Sequence, residues 1–286
     1  MVSIITPVRN GVNYIEECIN SVLNQSYTCV EHVIVDGVST DGTMDIVAKY
    51  KAKYPDRISF ISEKDRGTCD GWNKGWLLAK GQIFGWLGSD DTYPPDSVMT
   101  AVKFFKDNPD ARLIFGDTNI VDENGKLMSR VYSEDFDLKR AITSACCMYS
   151  PSVFYKREVV ETVGLMDANI GVCDLDFYIR AGKIFKFYRI EQPLSNFRIH
   201  KGSDTGRKDY LLRYARENYN VAKRYGATIF SPRGRNYILM SLTHPIHPLI
   251  ISIYNSRLLK PVLAPIFHMI VGNQGKADYF DNGSSS

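Results

Sequence analysis

The chain has 286 residues, of which 44% are hydrophobic and 23% are charged, and its formal net charge at pH 7 is +3. These values are typical of a globular protein with one large domain, or one domain and an extension, and they exclude a disordered or collagen-like chain. The chain begins directly with an apolar run at Val2, without a basic leader or a small-residue cleavage site, so we expect no signal peptide.

The first half alternates short apolar runs with amphipathic segments, which predicts βαβ units around a parallel sheet. The predicted strands are residues 2–6, 32–36, 58–62, 82–87 and 112–115. The predicted helices are residues 13–25, 43–54, 69–79 and 96–106. We expect Lys80-Gly81 to close the third helix as a C-cap.

The second half predicts a hairpin, a helix and further strands. Residues 118–122 and 127–132 flank Glu123-Asn124-Gly125, a hairpin signal. Residues 174–183 and 210–225 have helical patterns, and residues 185–190 and 194–199 read as strands. From Arg233 onward the pattern is helical but is interrupted by prolines.

The C-terminal part differs in charge from the rest. Residues 198–260 contain 12 Lys and Arg against 3 Asp and Glu, whereas the remainder contains 23 against 29. This basic segment suggests an anionic partner, such as phosphate, lipid headgroups or nucleic acid, although a solvated helix face explains Arg207 to Arg224 equally well. Residues 237–256 carry no formal charge, but prolines and polar residues interrupt them. We therefore expect a surface that docks on a membrane or on a second subunit, and no spanning helix.

The six cysteines include no Cys-x-x-Cys pair, and Cys146 and Cys147 are adjacent. This placement argues against a disulfide framework and against a structural zinc site. We expect reduced, mostly buried thiols and hence a cytoplasmic protein.

Asp90 and Asp91 follow the apolar run at residues 83–87. Ligands bind at the carboxyl ends of strands in open α/β sheets, and carboxylate oxygens suit Mg²⁺ or Mn²⁺ shared with substrate phosphates. The pair therefore favours a metal-bound nucleotide, although Asp-Asp-Thr-Tyr-Pro-Pro also has the chemistry of a solvated turn.

Three further acids follow a strand or lie near the start of a helix. Asp36 ends the second strand, where a carboxylate can accept hydrogen bonds from a base or a ribose. In the loop behind it, Ser39 or Asp41 is a credible N-cap, and capping fully explains Asp41. Arg66 can face a phosphate. Asp70 lies in the first turn of a helix, where the helix dipole alone favours an acid.

Five short motifs follow one another in the first part of the chain. They are Thr6-Pro7-x-Arg9-Asn10, Asp36-Gly37-x-Ser39-x-Asp41-Gly42-Thr43, Asp65-Arg66-Gly67-x-x-Asp70-x-x-Asn73-x-Gly75, Ala79-x-Gly81 and Ser89-Asp90-Asp91. Together they resemble the motifs of family 2 glycosyltransferases with the GT-A fold, and the resemblance covers roughly residues 1–200.

This resemblance implies a nucleotide-diphosphate sugar as donor, with a UDP-sugar favoured. The residues it implies for donor binding are Thr6, Pro7, Arg9, Asn10, Asp36, Arg66, Asp70, Asn73, Ser89 and Asp90. Asp91, the last acid of the family's Asp-x-Asp-like element, is implied as the ligand of Mn²⁺ or Mg²⁺. Ser89 replaces the first acid of that element.

The resemblance also implies a catalytic base. After Gly164-Leu165-Met166-Asp167, the acid that fits this role is Asp174, with Cys173 where the family usually has Glu. Asp176 points about 200° around the helix from it, so one pocket cannot receive both. The alternative for Asp174 is an N-cap. His200 resembles a late family histidine near the metal or diphosphate, and a lone surface histidine is the commoner explanation.

The sequence therefore predicts an α/β protein with a Rossmann-like mixed sheet of the GT-A type, flanking helices and a helical C-terminal extension. We expect a catalytic domain at residues 1–205, with donor binding at about 1–117 and the acceptor and base region at about 118–205. A helical extension at 206–275 and a flexible tail at 276–286 complete the predicted organisation.

The predicted activity is inverting, metal-dependent, non-processive glycosyl transfer to a glycan or polyprenol-linked acceptor, in surface polysaccharide synthesis. Inversion follows from the resemblance. Processivity is disfavoured because the Gln-x-x-Arg-Trp element of polymerising relatives is absent. We expect no nucleic acid partner, and either peripheral contact at the inner membrane face or a homodimer. One alternative is a sugar nucleotidyltransferase. That class of enzyme needs a Gly-rich phosphate loop after the first strand, and the segment found there, Pro7-Val8-Arg9-Asn10-Gly11, is not one. The other alternative is an inactive nucleotide-sugar-binding scaffold. Intact Asp36, Asp91 and Asp174 speak against the scaffold.

Overall fold

A computed structural model describes residues 1–146, 148–203 and 210–243. The strands are β1 Val2–Val8, β2 Val30–Asp36, β3 Ile58–Ser62, β4 Ile83–Trp86, β5 Leu113–Val121, β6 Leu127–Val131, β7 Val153–Lys156 and β8 Phe187–Arg198. The helices are α1 Ile15–Leu23, α2 Thr43–Lys53, α3 Thr68–Leu78, α4 Ser97–Asp107, α5 Leu138–Thr143, α6 Arg157–Val163, α7 Cys173–Gly182, α8 Tyr210–Arg224 and α9 Pro232–Thr243. A 3₁₀ turn at Ser150–Ser152 precedes β7.

The described strands form one mixed sheet in the order β3-β2-β1-β4-β7-β5-β6, with β8 on the other edge of β5. Strands β1 to β4 are parallel to one another, and β7 runs antiparallel between β4 and β5. Every residue of β1 and β2 is buried, as expected for strands covered on both faces. The predicted Rossmann-like mixed sheet is confirmed.

Strand β5 is one continuous strand where the sequence predicted two. The predicted strands at 112–115 and 118–122 are one strand, with register irregularities around Gly116 and Asp117 where it pairs with β8. Asp117 is buried, and its carboxylate accepts hydrogen bonds from Arg130 and Ser133. Because distant residues neutralise this acid, the strand continues through a position that looks like a strand end.

The described part of the C-terminal extension packs against the body. Val221 of α8 joins an apolar cluster with Leu175 and Ile179 of α7. From α9, buried Arg233 donates hydrogen bonds to the carbonyl oxygen of Ala141. Helix α8 thus packs into the apolar cluster of α7, and α9 is hydrogen-bonded to α5, while the domain boundary at residue 205 stays a prediction.

The cysteine prediction is wrong for one pair. Cys69 at the start of α3 forms a disulfide with Cys173 at the start of α7, across 104 positions of sequence. Cys18 is a buried free thiol and Cys29 is exposed. The expectation of a cytoplasmic protein loses the support that unpaired thiols gave it, because stable disulfides are rare there.

Within residues 1–243, as far as they are described, no helix is both long and apolar enough to cross a membrane. Residues 244–256 of the uncharged run, Arg207 and Lys208 of the basic segment and the predicted tail lie outside the described residues.

Candidate active site

The acidic turn Ser89-Asp90-Asp91 lies where β4 ends, and a second chain segment meets it there. His200, just beyond β8, places its Nε2 2.9 Å from Oδ2 of Asp90. Its ring also packs against Tyr14, with centroids 4.5 Å apart. Asp91 lies deeper, only 3% exposed, and its Oδ1 accepts the backbone N–H of Arg198 at 2.9 Å. The ends of β4 and β8 thus bring the two predicted metal residues, Asp91 and His200, to one place with Asp90, which was predicted for donor binding.

The buried side chain of Arg198 holds the acidic turn in place. Its side chain is 2% exposed, and its Nε donates to the carbonyl oxygen of Asp90 at 2.7 Å. Its guanidinium also pairs with Glu17 of α1 and donates to the carbonyl oxygen of Glu123 in the β5–β6 turn. One buried cation therefore joins the acidic turn, the first helix and the hairpin.

The electrostatics of the turn favour a bound cation. Burial, and next the neighbouring charge of Asp90, raise the pKa of Asp91 well above its ordinary value. A divalent ion would offset both effects, and carboxylate oxygens with an imidazole nitrogen are suitable ligands. The described residues contain no cluster of three or more His, Cys, Asp or Glu arranged for a metal. Asp91 and His200 are the residues of this turn and its neighbouring strand end that could hold such an ion.

Two loops meet beside the ends of β1 and β2. Asn10 donates its backbone N–H to Ser39 Oγ at 2.8 Å and accepts the N–H of Thr40 at 2.9 Å. Asp36 is fully buried and accepts hydrogen bonds from the N–H of Ser39 and the hydroxyl of Ser62. Arg9 next to Asn10 is exposed. These contacts bring to one edge of the sheet three residues that were predicted to bind the nucleotide base of the donor: Arg9, Asn10 and Asp36.

Asp41 is not the N-cap residue of α2, but its side chain binds the first residue of that helix. The N-cap residue of α2 is Gly42, with a φ of +96°, rather than Ser39 or Asp41. Asp41 nevertheless accepts the N–H and hydroxyl of Thr43 and the N–H of Val12. Its side chain thus ties the helix start to the loop after β1.

Thr6 and Pro7, also predicted for donor binding, are buried. The Thr6 hydroxyl lies 2.9 Å from Nε2 of His32 in the core. Burial lowers the pKa of His32 to about 3, so this imidazole is neutral. Pro7 packs on Gly71 of α3, where an added Cβ would lie 2.7 Å from the Pro7 Cβ. The structure gives both residues interior partners.

The first turn of α3 carries a charged group. Asp70 accepts the backbone N–H and a guanidinium N–H of Arg66, both at 3.2 Å, and lies 3.7 Å from Lys74 Nζ. Burial opposes ionisation, but the hydrogen bonds from Arg66 hold the pKa of Asp70 below its usual value. The side chain of Arg66 is 64% exposed, so it remains open to an anion.

Other parts of the same motif have packing roles. The Asn73 amide donates to the carbonyl oxygen of Met166 at 2.9 Å and accepts the Met166 N–H at 3.0 Å. Gly75 leaves no room for a Cβ against Ile5. The predicted C-cap role of Gly81 is wrong: α3 ends at Leu78, and a Cβ on Gly81 would collide with Ser3. Gly75 thus lets α3 pack closely on β1, and Asn73 ties α3 to the segment before α7.

Asp174 is the second residue of α7, and Val172 occupies the N-cap position. The N-cap explanation is therefore wrong. Oδ2 of Asp174 accepts the hydroxyl of Ser150 at 2.6 Å, and Oδ1 accepts the N–H of Leu175 at 2.8 Å. Asp176 instead is 4% exposed and accepts hydrogen bonds from Arg180 and Tyr225. The two acids have different surroundings, as their angular separation predicts.

The contacts of Ser150 with Asp174 and of Arg198 with the acidic turn were not predicted from the sequence. Ser150 was included only in a broad acceptor region, and nothing in the local sequence marks it as a partner of Asp174. Arg198 had a weak signal, as a basic residue two positions before His200 at the end of a strand. Each partner acts across a long sequence separation, 24 positions for Ser150 and 107 for Arg198.

The model of the glycosyl transferase family 2 matches residues 3–164. Chondroitin synthase of Escherichia coli is 30% identical over 208 residues, which are 73% of this chain and 30% of that protein. Hyaluronan synthase of Pasteurella multocida is 27% identical over 208 residues, which are 73% of this chain and 21% of that protein. The chain thus matches less than a third of the length of either relative.

Two solved structures resemble the fold. A mannosyltransferase from Pyrobaculum calidifontis, in complex with GDP-Man and Mn²⁺, has a TM-score of 0.63 and 20% identity over 95% of this chain and 80% of that one. S. aureus TarS 1-349, in complex with UDP-GlcNAc, has a TM-score of 0.59 and 18% identity over 94% of this chain and 81% of that one. Because the family model matches more than half of the chain, the protein belongs to glycosyl transferase family 2, and its fold is the GT-A type predicted from the sequence.

Proposed function

We propose that the protein is an inverting, metal-dependent, non-processive glycosyltransferase that moves a sugar from a nucleotide-diphosphate donor to a hydroxyl group of a glycan or polyprenol-linked glycan. The observation that carries the proposal is the convergence of Asp90, Asp91 and His200 at the end of β4. A buried carboxylate with a raised pKa at this edge is costly without a ligand, and a cation shared with a diphosphate would remove that cost.

In this proposal the donor lies along the sheet edge. Asn10, Arg9 and Asp36 face the base and ribose, Thr6 and Pro7 shape the loop beneath it, and Asn73 acts through its hold on Met166. Arg66, Asp70, Ser89 and Asp90 lie along the phosphates and sugar. A UDP-sugar is favoured, and the UDP-GlcNAc of the TarS complex is consistent with that choice. Mn²⁺ or Mg²⁺ would be held by Asp91 and His200.

The chemistry divides between two groups of residues. Asp174 would accept the proton of the acceptor hydroxyl, whose oxygen attacks the anomeric carbon from the side opposite the diphosphate. When bound, the cation would offset the charge that develops on the diphosphate. Asp70 and Asp174 lie in the first turns of helices that the Cys69–Cys173 disulfide joins, which supports a common site for donor and base.

The relatives suggest a pathway and the described surface suggests a location. Chondroitin and hyaluronan synthases are named for polysaccharide products, so we propose a role in surface polysaccharide synthesis. Phe230 and Leu242 in the C-terminal helical region are 82% and 72% exposed, and Arg235 between them in the sequence is exposed too. These residues support peripheral contact with the inner face of a membrane, with a dimer interface as the rival explanation.

A donor panel tests the proposed activity. The protein is incubated with UDP- and GDP-sugars and Mn²⁺, with and without glycan acceptors, and the products are separated by chromatography. We expect release of a nucleoside diphosphate that EDTA abolishes. Pyrophosphate chemistry would indicate a nucleotidyltransferase, and no turnover or donor binding would contradict the proposal.

Matched acid variants locate the base. Asp174→Asn should reduce turnover by about 10²- to 10⁴-fold, the usual contribution of a general base, with near-normal donor affinity. Asp176→Asn should mainly lower the free energy of unfolding, because Asp176 holds Arg180 and Tyr225. If the Asp176→Asn protein is folded but inactive while the Asp174→Asn protein is fully active, then the assignment of the base to Asp174 is wrong.

A further inference from the structure

We infer that Ser150 is a positioning residue, which holds the Asp174 carboxylate in the orientation needed to accept a proton. The inference rests on the proposed function, in which Asp174 is the base. Its starting observation is the 2.6 Å hydrogen bond from Ser150 Oγ to Asp174 Oδ2. Ser150 is not part of any of the five motifs that led to the family.

The carboxylate is fixed at both oxygens. Oδ1 accepts the N–H of Leu175 from its own helix, and Oδ2 accepts the hydroxyl of Ser150 from another element. Two donors from different directions restrict rotation of the carboxylate about its Cβ–Cγ bond, a torsion that is otherwise broad. A carboxylate oxygen can accept more than one hydrogen bond, so the bond from Ser150 does not use up the capacity of Oδ2 to accept one from an acceptor hydroxyl.

Ser150 itself is rigidly held. It begins the 3₁₀ turn, whose next residues Pro151 and Ser152 are buried, and its carbonyl oxygen accepts the N–H of Val153. The turn leads into β7, which lies in the middle of the sheet between β4 and β5. Just before the turn, the Tyr149 ring packs edge-on against Phe197 of β8. The backbone of Ser150 is therefore held by the sheet, and its hydroxyl can fix the position of the Asp174 carboxylate at the start of α7.

A neighbouring hydroxyl does not take this role. Tyr178, one turn after Asp174, is only 1% exposed, and its hydroxyl makes no hydrogen bond of normal geometry with the described residues. Burial, and then the charge of Asp174, raise the pKa of this phenol, whereas an interaction with the Ser150 side chain lowers it. Of the two hydroxyls, that of Ser150 is the one that donates a hydrogen bond to the Asp174 carboxylate.

The test compares Ser150→Ala with a control two residues away. Ser152 is fully buried in the same turn and donates its hydroxyl to the carbonyl oxygen of Tyr149, so Ser152→Ala also removes a buried hydroxyl. Turnover is measured with the donor found in the panel and Mn²⁺. We expect Ser150→Ala to lower kcat by about 10- to 100-fold with an unchanged donor KM, because small misplacements of a reacting group are costly. Ser150→Thr should restore most of the loss, and Ser152→Ala should leave kcat near wild type.

A double-mutant cycle separates positioning from general structure. If Ser150 acts through Asp174, then Ser150→Ala should cost nothing further in the Asp174→Asn background. A kcat within about threefold of wild type for Ser150→Ala, or a loss of the same size in both backgrounds, would overturn the inference. Those results leave the proposed function intact, whereas an active Asp174→Asn protein would remove both the base and its positioning residue.

Discussion

At the scale of single residues, Asp91, the proposed metal ligand, has a cost in stability. The metal-free protein holds this acid with a raised pKa, so between the unfolded and folded pKa values the native state binds the extra proton. Stability must then fall as pH rises from about 4 through the folded pKa of Asp91. A bound cation would reverse the balance, because it would favour the ionised carboxylate.

We therefore expect Asp91→Asn to stabilise the metal-free protein at pH 8 and to do so less at pH 5. The amide keeps an oxygen for the N–H of Arg198, and each 1 kcal/mol gained would raise Tm by about 2–4 °C. The variant should also lose Mn²⁺-dependent binding of a nucleoside diphosphate, as measured by calorimetry.

Asp117→Asn is the matched control for this measurement. It removes another buried carboxylate, but one that Arg130 and Ser133 already compensate, so it should destabilise the protein. A lower Tm for Asp91→Asn at both pH values, or an unchanged Mn²⁺ effect, would contradict the cation assignment.

The residue scale also marks the limit of what the sequence predicts. Asp90 and Asp91 were predicted from residue type and position and Asp174 from the family resemblance, and the structure places each at a strand or helix end facing a polar partner. The partners themselves were not predictable, because Ser150 and Arg198 reach these acids from other elements. Thr6 and Asn73 belong to motifs predicted to bind the donor, yet their side chains contact His32 and Met166.

At the scale of elements, the agreement between sequence and structure follows local periodicity. Strands β1 to β4 and the helices between them lie within a few residues of their predicted bounds, since apolar runs and helical spacing define both. Strand β7 was missed because residues 144–156 show neither pattern clearly. Strands β5 and β8 were each divided in two, because polar residues such as Asp117 interrupt the run and their compensation is tertiary.

The Cys69–Cys173 bond gives the element scale its prediction. A crosslink that closes a loop of this length restricts the unfolded chain, and native disulfides typically stabilise by about 2–4 kcal/mol. We expect Cys69→Ser/Cys173→Ser to lower the free energy of unfolding by about that amount and to reduce kcat by loosening α7 against α3. Urea titration and turnover measure the two effects.

Cys29→Ser is the control, because Cys29 is an exposed free thiol. Proteolysis without reductant, followed by mass spectrometry, should yield one peptide pair joined through residues 69 and 173. Alkylation of both thiols in unreduced, unfolded protein would instead show that the pair is not oxidised.

At the scale of the whole molecule, the contacts of α8 and α9 change how membrane association must be tested. Removal of residues after 205 would expose Leu175 and Ile179 and break the pairs of Asp176 with Tyr225 and Asp167 with Arg224. Such a truncation would therefore destabilise the body as well as removing a docking surface. Point substitutions on the exposed face avoid this problem.

We expect the full chain to bind anionic liposomes at low salt. Basic residues near such a surface contribute about 1 kcal/mol each, and screening over ~8 Å at physiological ionic strength should weaken binding as salt rises. Phe230→Ser and Leu242→Ser should reduce flotation, whereas Leu127→Ser, at an exposed position on β6, should not. A dimer that these two substitutions make monomeric, with no flotation, would decide for a subunit interface.

The hold of Arg198 on the acidic turn has a consequence for biosynthesis. The backbone donor to Asp91 is 107 positions further along the chain, and the partner of Glu17 is 181 positions further. At translation rates of about 5–20 residues per second, the acidic turn waits roughly 5–20 s before its partner strand is made. A nascent chain that ends before residue 198 already contains both acids but lacks the strand that organises them. The proposed cation-binding end of the site is thus encoded early and assembled late.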